Sequence, residues 1–399
     1  MSAVQWDAYR DVAPKGTVDL LFRLAEQVQG RRFLHVNASR YGGGSPETLN
    51  RLVPMMASLG LDVGWEVIVG DPKFYADVHT LARVLEGGEG QVTPAVLQSA
   101  ADVAAENARK LDLEADVVMV HELAPLLLVR HRKAPGCWVW GCHSDLSRAP
   151  RRTWHLVRRD LERYDAAVFS LPKFAQRLPL PCLIIHPSVD PLSEKNRELS
   201  RREVQQMLER LRVPSDKPML LQVAPYARSK DPMGVVRAYR LAKKYVDCRL
   251  VLAGGGAADN PEGTAVLAEV REAAGGDPDV HPLVLPPDAG LEINALHRAA
   301  AVVLHLPRHE SFGLGVAEAM WKGKPVIGSL AGGIPAQVVT EVTGFIVNSV
   351  EGAAFRIRQL LQTPDLVARL GGAAREHVRR NFLITRHLGD YLALLATLR

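Results

Sequence analysis

The sequence predicts an α/β protein with two similar halves, each built on a parallel sheet. Short apolar runs alternate with longer helical patterns, which is typical of βα units rather than of an all-β protein. This alternation begins again after a polar segment that contains prolines, at residues 187–200. The chain of 399 residues is also too long for one ordinary core. We therefore expect two domains joined near that segment.

The apolar runs define the predicted strands in order. Those of the first half lie at residues 33–36, 63–69, 117–120, 137–140, 166–169 and 183–185. Those of the second half lie at residues 218–223, 249–253, 281–285, 302–306, 325–327 and 345–347. Helical patterns fill the intervals, so each half has the order of a Rossmann-like domain. Residues 359–399 are helical by pattern, with a break near Asn381 and Phe382.

Composition excludes several classes of protein. Apolar content of 47% and charged content of 23% are those of a globular protein without extended disorder. A net charge of +5 is too small for this length to identify a partner. The most basic stretch, residues 148–163, has helical spacing and no alternating aromatic residues, which favours a solvated helix face over a nucleic-acid surface. We expect no nucleic-acid partner.

Cysteine spacing and hydropathy narrow the choice further. The four cysteines, at positions 137, 142, 182 and 248, lack the paired spacing of a zinc site or a redox motif. No cluster of His, Cys and carboxylates has the spacing of metal ligands, so we expect no metal and no cofactor. No run reaches about 18 apolar residues, and no apolar signal segment opens the sequence. These patterns predict a cytoplasmic protein with no membrane partner.

The main candidate site is the run of residues 309–328, in which seven residues separate Glu310 from Glu318. A predicted strand precedes the run, so Glu310 lies at a carboxyl end of the sheet and Glu318 lies inside the next helix. Ligands of open α/β sheets bind at that edge, where helix amino termini attract anions. Gly313 and Gly315 allow close approach of a ligand to the backbone. The pattern favours a nucleotide-sugar site, and a helix cap with a solvated acidic face is the alternative.

A second candidate is the glycine loop at residues 42–44, which follows the first predicted strand. Ser45, Pro46 and Glu47 then predict the start of a helix. Backbone N–H groups in such a loop suit a diphosphate. The motif is neither a dinucleotide fingerprint nor a P-loop, so a plain strand-to-helix turn is the alternative.

These runs together resemble a known family. Matching segments lie at residues 33–37, 42–44 with Glu47, 138–140, 142–143, 145–147, 187–196, 259–263, 318–328 and 379–382. The spacing of Glu310 and Glu318 resembles the signature of the retaining glycosyltransferases of family 4, and the narrower runs at 187–196 and 321–325 are similar to the trehalose glycosyltransferring synthases within it. The resemblance covers most of the chain from about residue 30 onward.

The resemblance implies the GT-B fold, with two Rossmann-like domains facing each other across a cleft. Residues 31–190 would form the acceptor domain and residues 191–380 the donor domain. Residues 1–30 would be a helical extension. Residues 381–399 would cross back to the first domain, whereas a terminal helix packed on its own domain is the alternative.

It also implies a set of site residues. Catalytic roles would fall to His143, Lys230 and Glu310, and acceptor binding to Glu122 and Asp145. The donor would be bound by Gly42, Gly43, Gly44, Arg228, Lys230, Ser311, Phe312, Gly313, Leu314 and Glu318. Within the main motif, Glu310 would contact the donor sugar and the amides of residues 311–314 would hold sugar hydroxyls and phosphate. Glu318 would accept hydrogen bonds from the ribose hydroxyls.

Three positions depart from the family pattern. Pro225 stands where an arginine for the diphosphate is expected, and Arg228 either swings into that place or lies on the surface. Glu122 replaces an aspartate and Gly141 replaces an arginine in the acceptor half. The departures allow a different acceptor.

The implied reaction transfers glucose from a nucleoside diphosphate glucose to glucose, with retention, and forms trehalose reversibly. One alternative keeps the donor and changes the acceptor. Another is a weakened nucleotide-sugar-binding protein that has lost the arginine at Pro225. The resemblance leaves open whether the donor nucleotide is ADP or UDP and whether the chain forms a homodimer.

Overall fold

The computed structural model describes residues 4–42, 44–133, 135–255 and 261–398. Two compact units are present in it. The first comprises Met1–Ser188 together with Ile384–Arg399, and the second comprises Val189–Leu383. Within the described ranges, no helix is long and apolar enough to cross a bilayer.

The strands of the described chain follow the apolar runs. They are β1 (Arg32–Asn37), β2 (Asp62–Val67), β3 (Val117–His121), β4 (Cys137–Cys142), β5 (Ala166–Phe169), β6 (Cys182–Ile184), β7 (Met219–Val223), β8 (Arg249–Gly254), β9 (Val280–Val284), β10 (Val302–His305), β11 (Val326–Gly328) and β12 (Gly344–Ile346). Each coincides with a predicted strand to within a few residues at its ends.

The helices fill the intervals between the strands. They are α1 (Trp6–Val12), α2 (Thr17–Glu26), α3 (Gly44–Ser58), α4 (Pro72–Leu85), α5 (Pro94–Lys110), α6 (Arg151–Leu161), α7 (Arg201–Arg210), α8 (Pro232–Lys243), α9 (Pro261–Ala274), α10 (Gly290–Ala299), α11 (Leu314–Trp321), α12 (Ile334–Gln337), α13 (Val350–Gln362), α14 (Pro364–Asn381) and α15 (Ile384–Thr397). Short 3-10 turns include Leu126–His131, Leu146–Arg148, Pro172–Phe174 and Arg228–Lys230. Helix α3 begins at Gly44, two residues before Pro46, the predicted first residue of the helix after an N-cap at Ser45.

Each unit contains one parallel sheet of six strands. The first has the order β2-β1-β3-β4-β5-β6 and the second the order β12-β11-β10-β7-β8-β9. The strand order therefore reverses between β1 and β3 in the first unit, and between β7 and β10 in the second. Loops at such a reversal leave the sheet in opposite directions and open a crevice at the carboxyl ends of the strands. The fold class predicted from the sequence is confirmed.

Helix α15 belongs to the first unit although it follows α14 of the second unit in the chain. Its leucines at 388, 392, 394 and 395 are buried, and it packs against α2 and α3. The Arg31 guanidinium holds the end of the helix by donating to the carbonyls of Leu395 and Leu398, at 2.6 and 2.8 Å. Burial of the leucines explains why a terminal segment is so apolar.

Truncation of Leu392 tests this packing. The side chain is fully buried, so Leu392→Ala is expected to lower the free energy of unfolding by about 2–5 kcal/mol through lost contacts and a cavity. Denaturant unfolding measures the change. Leu20→Ala in the partner helix α2 is the control, because this leucine is 46% exposed and its loss should cost less than about 0.5 kcal/mol. Equal costs for the two variants would contradict the packing.

Candidate active site

Two of the predicted donor-side residues, Lys230 and Glu310, meet at the strand reversal of the second sheet. Lys230 ends the 3-10 turn that follows β7, and Glu310 lies in the loop that follows β10. The two loops are joined because the N–H groups of Arg308 and His309 both donate to the Ser229 carbonyl, at 2.8 and 3.3 Å. This backbone contact brings together side chains that are 80 residues apart in the chain.

Glu310 is the centre of a small ionic cluster. Its Oε2 lies 2.9 Å from Lys230 Nζ and 2.8 Å from His305 Nε2. Its Oε1 accepts the N–H of Ser311 at 3.2 Å. Because only 9% of the Glu310 side chain is exposed, these partners replace most of its water. His305, the last residue of β10, was not predicted from the sequence, where it looked like an ordinary strand residue.

The partners also fix the charge of Glu310. Burial alone would raise the pKa of this carboxyl. Hydrogen bonds and charge from His305 and Lys230 outweigh burial and hold the pKa at about 2. The carboxylate is therefore ionised at neutral pH, and it needs a cationic or N–H partner whenever it is enclosed.

Glycines shape the loop at residues 310–313. Gly313 has a φ of +82°, and a Cβ atom there would lie 3.2 Å from Glu310 Cγ. Gly332 has a φ of +50°, and its added Cβ would lie 2.0 Å from the Glu310 carbonyl oxygen. Gln337 secures the other side by donating to the Phe312 carbonyl at 2.6 Å. The loop delivers the peptides of residues 312–314 to the amino terminus of α11.

Arg228 was predicted to bind the donor together with Lys230, but the two side chains contact different carboxylates. The Arg228 guanidinium pairs with Glu269, with Nη2 to Oε1 at 2.5 Å, and 61% of its side chain is exposed. Of the two alternatives that the sequence left open, a place at the diphosphate and a place on the surface, Arg228 takes the surface. Its carboxylate partner is Glu269 and not Glu310. Pro225 supplies no charge. Within the turn Arg228–Lys230, Lys230 is the cation that reaches Glu310.

Glu318 lies inside α11 and has a different set of neighbours. It is buried, and Lys195 Nζ lies 3.4 Å from its Oε1. Lys322, one turn later, donates to the Glu318 carbonyl at 3.1 Å and to Asn196 Oδ1 at 2.6 Å. Trp321 donates through Nε1 to the Asn196 carbonyl at 3.2 Å.

These contacts give the segment at residues 189–196 a structural role, because it holds α11 in place. Burial lowers the pKa of Lys322 to about 7, and its hydrogen bonds to Glu318 and Asn196 tie this segment to α11. Sequence reasoning noted the segments at 187–196 and 318–328 separately. It missed Lys195 and Lys322, because nothing in the local pattern pairs them with Glu318.

Glu122, one of the two predicted acceptor residues, lies at the strand reversal of the first sheet. Glu122 follows β3 with a φ of +66°, and its N–H donates to the Gly141 carbonyl at 2.7 Å. A Cβ atom at Gly141 would lie 2.7 Å from Met119 Cε and 3.5 Å from His121 Nδ1. The close packing of those two residues accounts for the glycine at this position.

Histidines line the same edge of the first unit. His35 Nδ1 lies 2.8 Å from His121 Nε2, and the rings of His121 and His143 stack at 6.3 Å. His143 Nδ1 lies 2.8 Å from Ser170 Oγ. Burial lowers the pKa of His35 to about 3 and that of His143 to about 4, so both rings are neutral at pH 7. Only His143 was predicted to belong to the site.

The remaining predicted residues of the first unit have local contacts. Asp145 accepts the N–H of Ser147 at 3.0 Å and so caps a 3-10 turn. Gly42 has a φ of +74°, and an added Cβ would meet nothing within 4 Å. Gly44 begins α3. Gly43 lies outside the described residues.

Comparison with known proteins finds relatives along most of the chain. Residues 35–176 match the family model described as trehalose synthase, N-terminal domain, and residues 203–377 match glycosyl transferases group 1. The trehalose synthase of Pyrococcus horikoshii is 38% identical over 98% of this chain and 95% of its own. The trehalose synthase of Rubrobacter xylanophilus is 34% identical over 98% of this chain and 96% of its own.

A solved structure shows the same fold. The α,α-trehalose-phosphate synthase (UDP-forming) of Burkholderia xenovorans, in complex with glucose-6-phosphate, superposes with a TM-score of 0.74 at 13% identity. The match covers 91% of this chain and 99% of that one. The family matches and the fold define a glycosyltransferase with the GT-B fold. The chain belongs to the trehalose synthase family of these enzymes, as the resemblance predicted.

Replacement of Gly332 tests the loop at residues 310–313. Gly332→Ala would press a Cβ atom against the Glu310 backbone. We expect this variant to lower the free energy of unfolding by more than about 2 kcal/mol and to displace Glu310. Gly276→Ala is the matched control, because this glycine has a φ of +79° and open space around it. Its cost should be only about 1 kcal/mol. Denaturant unfolding and calorimetry with UDP or ADP compare the two, and similar behaviour would contradict the assigned contact.

Glu122 gives a testable pH dependence of stability. Burial raises its pKa from 4.5 to about 7, partly offset by the His143 N–H that donates to it. The folded chain then holds a proton that the unfolded chain loses. The stabilisation is fully present below about pH 4.5 and is lost as the pH rises through about 7, a change on the order of 3 kcal/mol.

The free energy of unfolding of Glu122→Gln should therefore rise relative to that of the native chain as the pH increases from about 5 to about 8. Denaturant unfolding at several pH values measures this difference. Glu89→Gln, at an exposed carboxylate, is the control and should show no such trend. A pH-independent difference for Glu122→Gln would disprove the assignment.

Proposed function

We propose that this chain transfers glucose from a nucleoside diphosphate glucose to glucose, with retention, forms trehalose, and catalyses the reverse reaction. The observation that carries the proposal is the contact between Lys230 Nζ and Glu310 Oε2, at 2.9 Å, at the strand reversal of the second sheet. An ammonium beside a carboxylate suits a ligand with a diphosphate next to a sugar. The Burkholderia enzyme is a UDP-forming synthase, which supports this donor class by analogy of fold.

The proposed chemistry breaks the bond between the sugar C1 and the phosphate oxygen. The acceptor oxygen forms a bond to C1 on the same face, and its proton passes to the departing phosphate oxygen. Negative charge grows on the diphosphate as it leaves, so Lys230 and the peptide dipoles at the amino terminus of α11 would stabilise the transition state more than the ground state. Glu310 would orient the sugar hydroxyls and Glu318 the ribose hydroxyls.

Leaving-group stabilisation would depend strongly on Lys230. Pro225 has neither charge nor N–H, and Arg228 is engaged by Glu269 on the exposed surface. A desolvated cation of this kind contributes on the order of 10² to 10³ in rate. We accordingly assign no direct contact with the diphosphate to Arg228.

A second candidate keeps this donor chemistry and changes the acceptor. Glu122 lies beside the backbone N–H of His143 and has a pKa of about 7, and Gly141 leaves that position without a side chain. A protonated Glu122 can donate to a hydroxyl or carbonyl of an acceptor, which an ordinary aspartate would not do at neutral pH. The acceptor is therefore best tested with a panel of sugars.

Incubation of the purified chain with UDP-glucose or ADP-glucose and several acceptors tests the function. We expect release of the nucleoside diphosphate and formation of α,α-trehalose by NMR, unchanged by EDTA. Lys230→Ala should lower kcat/KM by roughly 10²- to 10³-fold. Arg228→Ala, the control in the same turn, should change it by less than about threefold.

The other outcomes separate the alternatives. A disaccharide other than trehalose would select the second candidate. Nucleotide binding without turnover would identify a binding protein instead of an enzyme. Equal effects of Lys230→Ala and Arg228→Ala would contradict the assignment of the leaving-group contact to Lys230.

A further inference from the structure

His305 and Lys230 share one oxygen of Glu310. His305 Nε2 lies 2.8 Å and Lys230 Nζ 2.9 Å from Oε2 of this enclosed carboxylate. Since Glu310 is ionised, His305 Nε2 must carry the proton of its bond. The carboxylate thus has two side-chain donors.

The two donors differ in mobility. His305 is the last residue of β10, only 8% of its side chain is exposed, and its carbonyl accepts the Ser329 N–H at 3.0 Å. A Cβ atom at Gly313 would lie 3.5 Å from its Nε2, so the ring is closely enclosed. Lys230 ends a 3-10 turn, its side chain is 21% exposed, and its four-carbon stem can turn. His305 is therefore the fixed partner of Glu310 and Lys230 the mobile one.

We propose that His305 is a positioning residue that holds Glu310 when Lys230 turns toward the diphosphate of the donor. The inference rests on the proposed function, which gives Lys230 to the departing diphosphate. If Lys230 were the single partner of Glu310, its departure would leave an enclosed carboxylate uncompensated, which is strongly unfavourable. His305 removes much of that penalty because its hydrogen bond to Oε2 persists.

The inference has a consequence for binding that does not depend on turnover. Without His305, Glu310 retains Lys230 more firmly and a diphosphate must compete with it, so nucleotide affinity falls. Without the charge of Glu310, this competition disappears and His305 no longer matters for the nucleotide. The effects of the two substitutions are thus coupled, whereas a role for His305 in folding alone would act independently of the charge at position 310.

A double-mutant cycle followed by calorimetry tests this coupling on the full chain, with UDP and ADP as the titrated ligands. His305→Leu should weaken binding by about tenfold, as expected for loss of a hydrogen bond to a charged group. His305→Gln, which keeps an N–H donor, should stay within about threefold of the native chain. In the Glu310→Gln background, His305→Leu should have no further effect.

Two further variants make the test decisive. His305→Asn, whose shorter amide does not reach Glu310, should weaken binding like His305→Leu and replaces it if the leucine variant does not fold. His297→Leu is the matched control, because His297 is a fully buried histidine of the same unit whose ring nitrogens have no hydrogen-bond partner among the described residues. It should leave nucleotide affinity unchanged.

Native affinity in both His305→Leu and His305→Asn would overturn the inference, and so would an undiminished loss in the Glu310→Gln background. Binding by the native chain with no effect at position 305 leaves the proposed function standing. Failure of the native chain to bind either nucleotide, together with no sugar transfer, would overturn both the inference and the proposed function.

Discussion

The ionised carboxylate of Glu310 is the constraint on which the second unit's site depends. A buried carboxylate without partners is strongly unfavourable, so every arrangement of this loop must supply donors to it. The strand reversal between β7 and β10 does this, because it brings the Lys230 turn beside the Glu310 loop and ends β10 at His305. The topology of the sheet and the charge of one side chain are therefore linked.

The backbone around Glu310 is as constrained as the charges. Gly313 and Gly332 both adopt positive φ values, and both positions lack room for a side chain near Glu310. The Gln337 side chain donates to the Phe312 carbonyl and the Ser311 carbonyl accepts the Gly333 N–H, which completes the enclosure. The loop at residues 310–313, the two glycines and helix α11 are thus packed together, and a change in any of them would move the Glu310 carboxylate.

The sequence predicted the strands, both parallel sheets and the place of Glu310, because these follow from local periodicity and from the rule that crevices open at strand reversals. It did not predict the contact of His305 with Glu310 or that of Lys195 with Glu318, because in each case the two partners belong to different segments of the sequence pattern. Nor did it decide between the two positions considered for Arg228, since the competing carboxylate, Glu269, is 41 residues away. Periodicity reports which face of an element is buried, whereas ion pairing depends on tertiary contacts.

Burial has opposite outcomes for the charged state of the site residues in the two units. In the first, burial lowers the pKa of His35 and His143, so these rings are neutral at pH 7, and it raises the pKa of Glu122 to about 7, so this carboxyl is about half protonated there. In the second, Glu310 keeps its charge because cationic and N–H partners outweigh burial. Neutral donors and acceptors suit an uncharged, hydroxyl-rich ligand, since no ion has to lose its water. Fixed charges suit an anionic ligand that replaces one ion-pair partner by another. Under the proposed function, Lys230 would make this exchange while His305 stays with Glu310.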